Sequence, residues 1–106
     1  MKIAFVFASV LLATPADARF MTLGQGTRSC GTWTEERTGN RSSLREAWVF
    51  GFVSGHNAYS SANRNLGETL DDSALLGWID NYCKDHPLDT IATAAQELVS
   101  AITAKR

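Results

Sequence analysis

The chain has 106 residues, ten Lys or Arg against eleven Asp or Glu, and a net charge of −1 at pH 7. That length bounds it to one small domain. A near-neutral balance without a basic block or stripe argues against nucleic acid as a partner, because phosphate contact needs clustered Lys and Arg.

Lys2, the apolar run Ile3–Ala13, the break at Pro15 and the Ala16-Asp17-Ala18 triplet read as a cleaved export signal over residues 1–18. The run is too short to span a membrane. This predicts an exported mature chain beginning at Arg19. Removing Lys2 and Asp17 from the totals leaves nine basic and ten acidic residues. Residues 19–29, rich in Gly, Thr and Gln without apolar period, are expected to form an extended, partly mobile arm. The helical domain then occupies 30–106.

Export places the two cysteines in an oxidising compartment, and two cysteines permit a single pairing, Cys30 with Cys83. Closing a loop of over fifty residues stabilises by about 4 kcal/mol on chain-entropy arithmetic. Neither CxxC spacing nor the positions of His56 and His86 suggest zinc, and no metal or cofactor is expected.

Thr32-Trp33-Thr34-Glu35 fits a capping box and predicts a short helix through Arg37. Asn40-Arg41-Ser42, in a polar loop, is formally a glycosylation sequon, most simply a chance match. Ser43-Leu44-Arg45-Glu46 is a second capping box, opening the longest helix, about 44–61. Its wheel gathers Leu44, Ala47, Trp48, Gly51, Phe52, Gly55, Ala58 and Tyr59 on one apolar arc, opposite Arg45, Glu46, His56 and Asn57. So apolar a helix is expected to be central, with Gly51 and Gly55 forming a groove for a neighbouring helix. Val49, Phe50 and Val53 fall outside that arc.

Residues 63–70 read as a loop, and Asp71 or Asp72 as the cap of the next helix. In that helix Leu75, Leu76, Trp78, Ile79, Tyr82 and Cys83 share one face. Pro87 ends it near His86, since proline donates no backbone bond and restricts its predecessor. Asp89 is the expected cap of the last helix, whose stripe is Ile91, Ala94, Ala95, Leu98, Val99 and Ile102; Lys105 and Arg106 suit its negative end. The fold class is therefore all-α, a small single-domain bundle of four to five helices with one disulfide.

A catalytic site requires a converging nucleophile, base or metal set. His56 reads as a solvated side chain and His86 as a helix-end partner. Asp80 and Asp85 read as surface charges, and Trp33, Trp48 and Trp78 as packing residues. No nucleophile elbow or phosphate loop is present. No catalytic residue is assigned, and the chain is read as a non-enzyme.

The layout resembles the HdeA/HdeB family of small periplasmic acid-stress chaperones. The matching pieces are the export signal, Ser29-Cys30 before a short helix with Trp33, the long helix with Trp48, and Ile79-Asp80-Asn81-Tyr82-Cys83-Lys84-Asp85-His86-Pro87 before a final helix. The resemblance implies a fold closed at neutral pH, possible as a homodimer, that loosens in strong acid and binds unfolded protein clients. There the carboxylates are neutral, and nine Lys or Arg, two His and the amino terminus give about +12. Self-repulsion and lost caps would loosen the fold while Cys30–Cys83 limits unravelling. Trp48, Val49, Phe50 and Val53 are the expected client or dimer surface, three of them because they leave the packing arc. The long helix with Gly51 and Gly55 also resembles secreted immunity proteins of type VI secretion, which implies a neutral-pH module for one protein partner.

Overall fold

A computed structural model describes residues 20–60, 65, 66, 68 and 70–104. The expected export signal and the terminal Lys105-Arg106 lie outside them. The chain is all-α: a 3-10 turn over Gly24–Thr27 precedes α1 (Cys30–Thr38), α2 (Ser43–Tyr59), α3 (Asp72–Asp85) and α4 (Ile91–Ala104). The extended pairing among the described residues is an isolated antiparallel bridge, Ser29 with Thr90.

The starts of α1, α3 and α4 are each set by a side chain that satisfies an otherwise orphan amide. Ser29, not Thr32, caps α1, its hydroxyl accepting from the Thr32 amide at 3.1 Å. Asp71 caps α3 through the Ala74 amide at 2.8 Å. At α4 the cap is Thr90, whose hydroxyl accepts from the Thr93 amide at 3.1 Å. Asp89, expected in that role, is drawn elsewhere: its carboxylate accepts the Tyr82 hydroxyl at 2.6 Å and its carbonyl the Cys30 amide at 2.7 Å. The α2 cap lies one residue earlier than the capping box implies, at Ser42, whose hydroxyl donates to the Glu46 carboxylate. In the loop between α1 and α2, Asn40 takes a left-handed φ of 57°, which asparagine tolerates better than most residues.

The core is built around α4, not α2. Ile91, Ala92, Thr93, Ala94, Ala95 and Leu98 are all buried, so this helix is covered nearly all round. It contacts α3 on one side, α2 and the 3-10 turn on another, and the start of α1. Its alanines let three neighbours approach, as the narrow side chains of a hub require. From α3 come Leu75, Leu76, Ile79 and Cys83, the face expected from its periodicity. Trp33 of α1 is fully buried.

The α2 arc is shifted from the expected one, of which Trp48 and Phe52 stay half-buried. Val49 and Val53 face the core, whereas Leu44 is 65% and Tyr59 91% exposed. Among the described residues no other element approaches within 4 Å of where a Cβ would stand at Gly51 or Gly55, so no helix packs into the expected groove. The cause is partnership: α2 packs on α4 and on the 3-10 turn and shares no broad contact with α1 or α3.

The segment before α1 is not a loose arm over the residues described. Trp48 lies across the turn, its indole N–H donating to the Leu23 carbonyl at 2.8 Å, and stacks with Phe52, which in turn meets Phe20. Gly26 is buried against that indole.

Candidate functional site: a carboxylate-stapled seam beside the disulfide

Helices α1 and α3 run antiparallel, joined at the start of the one and the end of the other by the Cys30–Cys83 disulfide, with Cα atoms 4.7 Å apart. Both cysteines are buried. Backbone bonds reinforce this end, from Cys30 to the Asp89 carbonyl and from Gly31 to the Pro87 carbonyl. The Pro87 corner therefore holds α1 as well as turning the chain.

One to two turns further along α1, the links change character. Asp80 of α3 accepts three bonds from α1: from the Trp33 indole at 2.7 Å, from Arg37 Nε at 2.9 Å and from Arg37 Nη2 at 2.8 Å. The fork is the bidentate geometry in which a guanidinium binds carboxylate best. It also sets the guanidinium over the Trp33 ring at 5.9 Å. Partial burial works to raise the Asp80 carboxyl, but the bonds from Arg37 and Trp33, with the Arg37 charge, outweigh it and hold the group below its ordinary value. Arg37 is held more firmly protonated, chiefly by its bond to Asp80.

Arg37 extends the network to α2, with Nη1 3.7 Å from Glu46, the carboxylate that also receives the Ser42 hydroxyl. Beside it Arg45 of α2 reaches back to Glu36 of α1 at 3.1 Å. Glu36 Oε2 and Arg45 Nε are buried without a hydrogen bond among the described residues. Among the described residues, and apart from the disulfide, every side-chain hydrogen bond or ion pair between α1 and α2 or α3 has a carboxylate at one end: Asp80, Glu46 or Glu36.

Two cavities flank these staples. One of about 400 Å³ lies between α1 and α3 and is polar, lined by Thr34, Arg37, Thr38, Asp80, Asn81 and Lys84. The other, about 390 Å³, lies between α2 and α3, with walls of Phe50, Val53, Leu66, Leu70 and Leu75 and a polar rim of Ser54, Asn57 and Asp72. Asn57 shapes its floor by bonding both the amide and the carbonyl of Leu66, at 2.6 and 3.0 Å.

On the far side of α3, the rings of Trp78, Tyr82 and His86 stack in sequence. Partial burial, then the bond to Asp89 and the negative charges of Asp89 and Glu97, push the Tyr82 phenol well above its ordinary value, so it stays a donor.

Of the four residues expected at a client or partner surface, the structure brings two together. Phe50 and Val53 line the α2–α3 cavity. Val49 is wholly buried, because its position on α2 faces α4 rather than leaving the packed side. Trp48 is occupied with the 3-10 turn. Asp80, read from sequence as a surface charge, is the residue that reasoning missed; its partners lie 43 and 47 positions away, and no local pattern announces them.

Among the described residues no group of three or more His, Cys, Asp or Glu is placed to hold a metal, and no helix is long and apolar enough to cross a membrane. The chain matches no protein-family model, no curated protein and no solved structure.

Proposed function

We propose that this protein is an acid-opened holder of unfolded protein chains, acting in the exported compartment that the N-terminal sequence implies. One observation carries the reading: the polar links from α1 to α2 and α3 all end on carboxylates, while the other end of α1 is fixed by a disulfide and backbone bonds. Strong acid neutralises the first set and leaves the second intact. The fold then loosens without unravelling, and apolar helix faces become available to clients. No catalytic residue is required.

The test follows an acid-labile client enzyme by light scattering at about pH 2.5, below the ordinary carboxylate range, and again at neutral pH. The expected result is suppressed scattering in acid with the oxidised protein, and client release on neutralisation. Absence of protection at every pH would sink the reading.

A second reading has one observation in its favour. The α2–α3 cavity with its Phe50, Val53 and Leu75 walls is already open in the closed fold. A binding module for one protein partner would use it without an acid trigger, and would capture that partner in stoichiometric amount at neutral pH.

A further inference from the structure

Resting on the acid-opened reading, we propose that opening is confined to the seam between α2 and the α1–α3 pair, with α4 as the stationary hub, and that the widened α2–α3 cavity seats an extended apolar segment of the client.

The argument begins with what holds each helix. α3 is tied to α4 by broad apolar contact and the Tyr82–Asp89 bond, and to α1 by the disulfide. α2 is held differently. It rests on α4 and the 3-10 turn through Val49, Val53 and Trp48, and it meets α1 through Arg45–Glu36 and Arg37–Glu46. Across the seam itself, packing between α2 and α3 is sparse, and a cavity of about 390 Å³ stands where a well-packed interface would have side chains. The seam is thus stapled at its α1 end and hollow at its α3 end.

The charged groups around the staples are few. Asp80 faces Arg37 from α1, and Lys84 of its own helix lines the same cavity. Glu46 of α2 faces Arg37, and Glu36 faces Arg45. On the α3–α4 side the carboxylates Asp89 and Glu97 act on Tyr82 instead. Protonating Glu46 and Glu36 leaves Arg37 of α1 and Arg45 of α2 as uncompensated cations on the two sides of the seam, while the disulfide keeps α1 on α3 when Asp80 too is neutral. Their mutual repulsion drives α2 away from the α1–α3 pair, while the apolar contacts to α4 are indifferent to pH.

The occupant follows from charge. In acid the chain becomes strongly cationic, and so does any client, whose own carboxylates are neutral. A client segment must therefore find a surface without cations. Among the described residues the α2–α3 cavity is such a surface: the charged residue of its lining there is Asp72, which is no cation. An apolar stretch, including neutral carboxylic acids hydrogen-bonding to Ser54 and Asn57 at the rim, meets both needs.

The experiment is hydroxyl-radical footprinting of the oxidised chain, read by mass spectrometry, at neutral pH, in acid, and in acid with an acid-unfolded client. Client aggregation is measured in the same samples. Acid is expected to raise oxidation of Phe50, Leu70 and Leu75 several-fold while Ile91 and Leu98 of α4 stay protected, and client is expected to reverse the rise at Phe50 and Leu75. Phe50→Lys, which places a permanent cation in the cavity, is expected to lose most of the protection against aggregation; Leu44→Lys, on the exposed opposite face, is expected to keep it. Protection of the client with a footprint at Leu44 and Tyr59, or with α4 oxidised as fast as Phe50, overturns the inference and leaves the acid-chaperone reading standing. Seam opening without any protection of the client overturns that reading and the proposed occupant together.

Discussion

Arg37 and Asp80 face each other across α1 and α3 in a two-bond fork, and the Trp33 indole donates to the same carboxylate. This one carboxylate thus fixes the middle of α1 to α3, a turn or two beyond the disulfide. Its folded-state value is depressed, so its contribution to stability is complete above the unfolded value near 3.8 and is lost as pH falls through the lower, folded one. Asp80→Asn keeps the shape but removes the charge. At neutral pH it is expected to cost about 1–2 kcal/mol, discounted because the carboxylate is about one-third exposed. Between pH 5 and pH 2 the variant should then lose less stability than the parent. Urea unfolding followed by tryptophan fluorescence across that range measures both; parallel pH profiles would show that Asp80 takes no part in acid opening.

Gly26 is needed for a different reason. A Cβ there would lie 2.2 Å from the Trp48 ring, closer than atoms tolerate, and the indole is pinned by its bond to the Leu23 carbonyl. Gly26→Ala must lift either the ring or the 3-10 turn. The expected cost is about 1–3 kcal/mol, typical of overpacking, with a red-shifted Trp48 emission. Unchanged thermal stability and emission would show that the turn is not held by this contact.

The disulfide carries a prediction about rate as well as stability. Cys30 and Cys83 are buried, so a reductant reaches them only through opening of the α1–α3 end. Replacing both with serine is expected to cost about 4 kcal/mol, a large share of what a domain of this size possesses. In the native protein, reduction by dithiothreitol should be slow in buffer and accelerate with denaturant; mass spectrometry of alkylated samples follows it. Reduction at the same rate with and without denaturant would mean that the bond is accessible in the closed fold.

How far these features were legible in the sequence depended on whether each helix had one clear partner face. In α3, Leu75, Leu76, Ile79 and Cys83 stood out against Asp80 and Lys84, and Pro87 marked the corner, so α3 came out as expected and α4 differed in its cap, Thr90 in place of Asp89. In α2 almost every residue is apolar or small, and the wheel admits more than one arc. Its two first-turn charges, Arg45 and Glu46, read as a solvent side, yet they turn inward because Glu36 and Arg37 await them on α1. Pairing over a longer span of sequence hid Asp80. Periodicity reports which face of a helix is apolar; it is silent on charges whose partners lie forty residues away.

That misreading of α2 yields its own test. If Gly51 and Gly55 had formed a close-packing groove, a methyl group at either would clash. Among the described residues no atom of another element lies within 4 Å of either added Cβ, and both glycines are in the interior of a seventeen-residue helix. Alanine there removes backbone freedom from the unfolded chain at no steric cost in the folded one. Gly51→Ala and Gly55→Ala are each expected to stabilise by about 0.5–1 kcal/mol, equal to the helix penalty of glycine relative to alanine. For a domain of about 100 residues this raises the melting temperature by several degrees per substitution. The measurement is thermal unfolding by circular dichroism at two protein concentrations tenfold apart. A stabilisation independent of concentration fits an exposed α2 face. A destabilisation that deepens on dilution would instead mean that a second copy of the chain packs its own helix against these glycines, since only an associated state loses stability as the concentration falls.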